Sequence, residues 1–339
     1  MNTTSETTLL RAAFGVRIAG TGSYVPENRV TNEDLSKKVE TSDEWIFERT
    51  GIRARRMANS ETATSDLALQ ASLQALESAG LKANDIDAIL VATVTPDHFI
   101  PSTACLLQAK LGCRTIFALD ISAACSGFIY GLKLAESLIQ NGSYKNVLLV
   151  GAETLSRFMN FNDRQTCILF GDGAGAAILS RTDVENHSIL YSDASAVGDI
   201  GGVLTIPAGG SRKPLTQQVL EESSQFIHMN GREVFRNAVS RLTSDSVQAM
   251  DVARVKPEDV DYALIHQANM RIIEKVGENL RIPAHKLLTN IEETGNTSSA
   301  SIPILFDQNV KNGTIQRGHT LLLAAFGAGL TSGAAVVRF

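Results

Sequence analysis

Two stretches decide how this chain folds: Leu81-Lys-Ala-Asn-Asp-Ile-Asp-Ala-Ile-Leu-Val91 and Val255-Lys-Pro-Glu-Asp-Val-Asp-Tyr-Ala-Leu-Ile265. Asp85, Ile86 and Asp87 of the first align with Asp259, Val260 and Asp261 of the second, an offset of 174 positions (259 against 85). Each copy follows a segment with apolar residues at three- and four-residue spacing, 65–79 and 239–253, which predicts a helix. Each then enters a short apolar run, 88–91 and 263–265, that reads as a buried strand. Downstream, Leu138-Ile-Gln-Asn-Gly142 matches Asn309-Val-Lys-Asn-Gly313 at an offset of 171 (309 against 138). Val147-Leu-Leu-Val-Gly151 lies opposite Leu321-Leu-Leu-Ala-Ala325, back at 174 (321 against 147). Matches that keep their order and spacing mark an internal duplication. Strands alternating with helices predict an α/β fold with parallel sheets covered on both faces. Two halves are expected, 15–185 and 186–339, related by a pseudo-two-fold axis, with 181–225 forming the crossover and surface loops.

The chain has 339 residues, 44% hydrophobic and 20% charged, enough for a sizeable core. Its net charge of -5 argues against nucleic acid as the main partner, because phosphate binding needs a basic surface. The first fourteen residues are polar and Thr-rich and read as a loose tail rather than a signal peptide. No apolar run approaches the roughly 20 residues of a membrane span. Cys105, Cys113, Cys125 and Cys167 have no CxxC spacing and no nearby His cluster, which argues against a structural metal or a disulfide frame. The expected compartment is the cytoplasm, whose reducing conditions suit a working thiol.

Cys125 stands in Ile121-Ser-Ala-Ala-Cys-Ser-Gly127, small residues before a helix predicted over 128–139. A thiol at a helix N-terminus meets the positive end of the macrodipole, which favours thiolate. The offset of 171 carries Cys125 onto Asn296, in Thr294-Gly-Asn-Thr-Ser298, and His266 immediately follows the strand ending at Ile265. Sites in open α/β sheets form at the carboxyl ends of strands, so the duplication is expected to bring Cys125, His266 and Asn296 together. Singly each has an ordinary explanation: a buried cysteine, a satisfied histidine, a turn asparagine. Phe326-Gly-Ala-Gly-Leu-Thr-Ser-Gly333 follows an apolar strand; it either aims backbone N–H groups at an oxyanion or is a plain tight turn. Phe170-Gly-Asp-Gly-Ala-Gly175 and Gly20-Thr-Gly22 lack GxGxxG spacing, and 176–179 reads as a strand, so no nicotinamide or flavin cofactor is expected.

Taken together, these motifs resemble the β-ketoacyl-acyl-carrier-protein synthase III family, initiating condensing enzymes of the thiolase superfamily. The likeness runs from about Val16 to Phe339. It is carried by Gly20-Thr-Gly-Ser-Tyr-Val-Pro26, Thr41-Ser-Asp-Glu-Trp-Ile46, Arg49-Thr-Gly-Ile-Arg53, Ala123-Ala-Cys-Ser-Gly127, Phe170–Gly175, His266-Gln-Ala-Asn269, Gly295-Asn-Thr-Ser298 and the closing glycine turn. Thiolases and elongating condensing enzymes share the cysteine but use other partners, so the Cys-His-Asn trio points to the initiating branch. The resemblance implies duplicated βαβαβαββ halves stacked in five layers, α-β-α-β-α. It implies that Cys125 takes an acyl group from acyl-CoA, with the backbone N–H groups of Cys125 and Ala328 as the oxyanion hole. His266 and Asn296 would then stabilise the enolate left when malonyl-acyl carrier protein loses carbon dioxide. Further implications are CoA binding by Trp45, Arg49 and Arg164, carrier-protein docking by Arg271 and Arg236, and a homodimer that needs no metal or cofactor.

Three positions depart from the family pattern. Ile100 stands where members often carry Phe at the end of an acyl pocket shared across the dimer. Glu278 and Asn279 occupy a turn where some members have lysines. Ala328 replaces a glycine in the oxyanion turn but keeps its N–H. Three alternative functions stay open at this point. One is a related enzyme of secondary metabolism with a non-standard donor or acceptor. The others are a papain-like protease, whose surrounding motifs are absent, and a silent partner subunit, which would be expected to have lost its nucleophile.

Overall fold

The aspartates that mark the duplication do the same work in both halves. Asp87 Oδ2 accepts from the backbone N–H groups of Lys145 and Asn146, and its own N–H donates to the Asn146 carbonyl. Asp261 Oδ2 accepts from the Thr320 N–H, and its own N–H donates to the Thr320 carbonyl. Each carboxylate ties the start of one strand to the start of its parallel neighbour, a task no apolar side chain can perform. These contacts belong to a computed structural model that describes residues 14–198 and 202–339. Residues 1–13 of the expected tail lie outside the described residues. Phe14, its last residue, packs beneath the Arg181 guanidinium, 4.2 Å from the ring centroid.

Counting strands of four or more residues and helices of eight or more, the first half begins with β1 (Gly15–Tyr24), α1 (Asp43–Thr50), α2 (Thr64–Ala79), β2 (Ala88–Ala92) and α3 (Thr103–Leu111). It continues with β3 (Phe117–Ile121), α4 (Gly127–Gln140), β4 (Asn146–Thr154) and β5 (Asp172–Thr182). The second half comprises β6 (Ile189–Ala196), α5 (Gly231–Ala253), β7 (Tyr262–Ile265), α6 (Met270–Leu280), α7 (Ser301–Lys311), β8 (Thr320–Gly327) and β9 (Thr331–Arg338). The first sheet has the order β1-β5-β4-β2-β3, with β2 parallel to β3 and β4 and with β5 antiparallel to β4 and β1. The second has the order β6-β9-β8-β7, with β7 parallel to β8 and β9 antiparallel to β8 and β6. Where the first sheet carries β3, the second has a single parallel bridge, Ala263 to Leu287. Helical turns at Ala284–Lys286 and Ile291–Thr294 take up the chain on either side of it.

The layers follow from what each element must bury. α2 and α3 cover the outer face of the first sheet, and α5 and α6 the outer face of the second. α4 and α7 lie between the sheets, where Phe128, Leu132, Ile302 and Phe306 meet Leu149 and Leu323. Strands covered on both faces need continuous apolar runs, which is why β4 and β8 read Val-Leu-Leu-Val and Leu-Leu-Leu-Ala. This is the five-layered α-β-α-β-α arrangement of the thiolase fold. The segment 181–225 is not wholly crossover and loop: it contains β6, an integral strand of the second sheet. β6 is an edge strand with a half-exposed pattern, so its apolar signal is weak.

Offsets between the halves change inside one helix. α4 and α7 begin 174 positions apart (127 and 301) and end 171 apart (140 and 311), so α7 is three residues shorter. Measured from the helix starts, the counterpart of Cys125 is therefore Ser299, and Asn296 lies three residues further upstream. The halves approach closely here. A Cβ on Gly151 of β4 would lie 2.3 Å from the Ser299 carbonyl oxygen, a backbone atom that cannot yield cheaply. Gly151→Ala is expected to destabilise the fold by at least about 2 kcal/mol, the scale of overpacking. Urea unfolding checks this, and an unchanged midpoint would show that the halves are not in register at this point.

Candidate active site

Between β3 and α4 the chain turns through Ala124 at φ 47 and a single 3-10 turn, Ala124–Ser126. A left-handed non-glycine residue costs roughly 1–2 kcal/mol. The turn before α7 carries the same feature at Ser298, φ 49, again at an offset of 174 (298 against 124). Both inner helices are thus entered through a left-handed residue, and the two turns abut. The Cys125 turn is stitched to the β8–β9 hairpin: Ser126 Oγ donates to the Thr331 carbonyl at 3.0 Å, and Thr331 Oγ1 to the Ala123 carbonyl at 2.9 Å. Gly327 is required here, because a Cβ would sit 2.6 Å from the Cys125 nitrogen. Among the described residues, the N–H groups of Cys125 and Ala328 donate to no protein oxygen.

Asn296 is held through its backbone and its amide. Its N–H donates to the Leu169 carbonyl at 2.8 Å, its carbonyl accepts from Gly171 at 3.0 Å, and its Oδ1 accepts from the Ser298 N–H at 2.8 Å. With Oδ1 engaged, Nδ2 remains as a donor for the cavity. His266 N–H donates to the Ala324 carbonyl, and its Nδ1 lies 2.7 Å from Ser301 Oγ. The other contact of the Ser301 hydroxyl is the N–H of Gln267, a donor. The hydroxyl proton therefore goes to His266 Nδ1, which fixes the tautomer with its proton on Nε2. Both cavity-facing groups are neutral donors.

Burial pushes the Cys125 thiol up to about 12; the neighbouring Glu153 adds to this, while the polar surroundings given by Ser298 and its own backbone N–H pull the other way. The expected thiolate at the mouth of α4 is thus corrected for the resting state. Cys125 does stand at that helix start, but desolvation outweighs the favourable dipole and the thiol is protonated at neutral pH. Burial pushes His266 down to about 3, so the ring is neutral.

A cavity of about 380 Å³ is lined by Cys125, His266 and Asn296 and also by Trp45, Arg49 and Arg164. Trp45 is half-buried; the guanidinium carbons of Arg49 and Arg164 lie 4.3 and 5.1 Å from its ring centroid. A second cavity, about 280 Å³, opens on Cys125, Ser298 and Ala328 and is otherwise mostly apolar, with Val94, Leu155, Phe170 and Ile227. Arg271 lines neither; it donates twice to the Glu48 carbonyl in the last turn of α1. Arg236 is exposed on α5 and paired with Glu233. Ile100 is 87% exposed and lines neither cavity. Glu278 and Asn279 lie in the last turn of α6, not in a connecting turn; Glu278 pairs with Lys275 and Asn279 donates to Thr243.

Sequence reasoning missed Glu153, Ser298 and Ser301. Ser298 closed a quoted motif and Ser301 stood three residues on, both readable as ordinary cap residues. Glu153 left a clearer signal: an acidic residue ending the apolar run of β4, where a buried charge needs a reason. Arg55 was also missed. It is fully buried, donates to Asn32 Oδ1 and the Ile168 carbonyl, and steadies the loop that holds Asn296.

A cysteine on the turn into the first inner helix of a duplicated five-layer sandwich defines a thiolase-fold condensing acyltransferase. Within that class, the chain belongs to the β-ketoacyl-acyl-carrier-protein synthase III family. Residues 119–198 match the family 3-Oxoacyl-[acyl-carrier-protein (ACP)] synthase III, and residues 250–339 match that family's C-terminal domain. The chain is 49% identical over 322 residues to the beta-ketoacyl-[acyl-carrier-protein] synthase III of Caldanaerobacter subterraneus subsp. tengcongensis, covering 95% of this chain and 97% of that one. The crystal structure of the Aquifex aeolicus VF5 3-oxoacyl-[acyl-carrier-protein] synthase III is similar at TM-score 0.88 and 45% identity, over 96% of this chain and 100% of that chain. The Pseudomonas aeruginosa PAO1 synthase III structure gives 0.89 at 37%, over 96% and 98%.

Two predictions follow from the buried groups. Ser301→Ala leaves His266 Nδ1 unpartnered, so the variant should lose about 1–3 kcal/mol of stability and shift the ring toward the Nδ1–H tautomer. Nitrogen-15 NMR of labelled histidine reads the tautomer, and an unchanged spectrum would refute the assignment. His266, depressed from 6.5, keeps its contribution above pH 6.5 and loses it as pH falls toward 3. Cys125, raised from 9.0, keeps its contribution below pH 9 and loses it as pH climbs toward 12. Urea titrations across pH should show stability declining at both ends, with Cys125→Ala flattening the alkaline limb.

Proposed function

We propose that this chain joins an acyl-CoA primer to malonyl-acyl carrier protein by decarboxylative Claisen condensation, the initiating step of fatty acid synthesis. The observation that carries the reading is the shared cavity, lined both by Cys125, His266 and Asn296 and by Trp45, Arg49 and Arg164. An indole beside two guanidiniums suits a nucleotide with phosphates, which such groups stack on and pair with. The thioester then reaches the sulfur, and its acyl chain enters the apolar cavity behind Cys125.

In the first stage the Cys125 sulfur attacks the thioester carbon, giving acyl-cysteine and free CoA. Oxyanion charge falls on the N–H groups of Cys125 and Ala328, which donate to no other protein oxygen among the described residues. In the second stage malonyl-acyl carrier protein enters; its carboxylate leaves as carbon dioxide, and the electron pair passes into an enolate. His266 Nε2–H and Asn296 Nδ2–H donate to the enolate oxygen, charge that exists only near this transition state. Neutral donors suit the task, since a cation there would also stabilise the malonyl carboxylate that must leave. The carbanion attacks acyl-Cys125 and releases the β-ketoacyl product. Two carboxylate-free cavities and neutral donors require no metal or prosthetic group for these steps.

Arg271 on α6 and Arg236 on α5 are assigned to the acidic carrier protein. A second copy is assigned to the open edge of β3, where Phe117 and Leu119 are about two-fifths exposed and Phe99 and Ile100 stand clear of the chain at 85% and 87%. A strand edge with exposed apolar residues invites pairing. On that reading Ile100 completes the acyl pocket of the neighbouring copy, and the enzyme works as a homodimer in the cytoplasm.

The test separates the stages. Cys125→Ala should abolish covalent labelling by radiolabelled acyl-CoA. His266→Ala and Asn296→Ala should keep labelling while condensation falls about 100- to 1,000-fold, the scale of losing one oxyanion donor. Equal loss of both stages would refute the assignment of the two donors.

A further inference from the structure

The geometry of the first stage leaves the thiol proton without an obvious destination. The Cys125 sulfur is buried and protonated, and it must ionise to attack. The tautomer imposed by Ser301 already places a proton on His266 Nε2, so the imidazole cannot accept another there. Another acceptor lies behind Ser298, which lines the second cavity. Ser298 lines that cavity together with Cys125 and donates from Oγ to Glu153 Oε1 at 3.1 Å, which leaves its oxygen able to accept a proton.

Glu153 is fully buried at the end of β4. Its Oε2 accepts from Thr95 Oγ1 at 2.7 Å and from the Val94 N–H at 3.1 Å, and its Oε1 lies 2.9 Å from Ser299 Oγ, whose single proton is shared with the Ala92 carbonyl at 2.8 Å. With donors on both oxygens, the ionised carboxylate is a competent proton acceptor. Among the described residues it forms no ion pair. An uncompensated buried charge is expensive, and an amide could hold the same turn with less cost.

We propose that Glu153, acting through Ser298 Oγ, takes the Cys125 proton during acylation and returns it when condensation frees the sulfur. Burial raises the Glu153 carboxyl above its ordinary range, which strengthens it as an acceptor. In the first stage the S–H bond breaks as the sulfur–carbon bond forms. The thiol proton moves to Ser298 Oγ while the Ser298 proton moves to Glu153 Oε1. The thioester C–S bond breaks, and CoA leaves as a thiolate that takes its proton from solvent. In the second stage the new carbon–carbon bond expels the Cys125 sulfur with its electron pair, and the stored proton travels back. No oxidant or reductant takes part.

This inference rests on Cys125 being the acylated residue, so the experiment reads both. Wild type, Glu153→Gln and Ser298→Ala are mixed with radiolabelled acetyl-CoA in single turnovers, and the label is located by mass spectrometry of the Cys125 peptide. Decarboxylation of malonyl-acyl carrier protein is followed in parallel. Both variants should acylate about 100-fold more slowly, the scale of losing a general base, while decarboxylation falls far less. A role confined to holding the turn would lower both activities together. A role as a mere like charge would make Glu153→Gln acylate as fast as wild type or faster, since removing the charge eases thiol ionisation. Either result overturns the relay. Should Glu153→Gln fail to fold, Ser298→Ala alone decides, because it removes the relay atom and leaves the carboxylate in place. Absence of label on wild-type Cys125 would instead sink the nucleophile assignment itself.

Discussion

The abutment of the two inner helix starts is the constraint on which the rest of this structure depends. α4 and α7 each begin after a left-handed residue, Ala124 and Ser298, and the turns that carry those residues press against each other between the sheets. Such contact is possible only where side chains are absent. Gly127 faces Ala92 and Ser299, and Gly151 lies against the Ser299 backbone. The strain of two left-handed residues, roughly 1–2 kcal/mol each, is sustained by the packing of Phe128 and Phe306 just beyond them. In exchange the sulfur, the imidazole and the carboxamide come from distant parts of the chain to one cavity wall.

Around Cys125, His266 and Asn296 that wall is buried and uncharged. Burial holds the thiol protonated and the imidazole neutral, so the groups that face substrate are dipoles rather than ions. Preorganised dipoles cost little when no charge is present and act strongly once charge develops in a low dielectric. The one carboxyl nearby, Glu153, is held behind the Ser298 hydroxyl and accepts from Thr95.

Much of this was legible from residue order. The aspartate pair 85/87 and its echo at 259/261 announced the duplication because both carboxylates have an identical backbone task. Continuous apolar runs identified β4 and β8 because a doubly covered strand has no polar face. β6 escaped notice, since an edge strand with alternating exposure resembles a loop. The equivalence of Cys125 with Asn296 was inexact because the three-residue difference lies within α7 and leaves no mark at its start. The thiolate was over-read. A motif reveals a helix start, but only the surrounding atoms reveal how little water reaches it. Glu153 and Ser301 were invisible as partners for the same reason: hydrogen bonds spanning 145 and 35 positions have no local periodicity.

The entry into α7 has one further consequence. Ser298 reaches Glu153, Ser299 reaches Glu153 and the Ala92 carbonyl, and Ser301 reaches the imidazole, all within four consecutive positions. A slip of one residue along that segment would disconnect every one of these anchors at once. The segment therefore behaves as a key with several teeth on one shank: its hydroxyls are thermodynamically coupled, and lesions at any two of them will not sum.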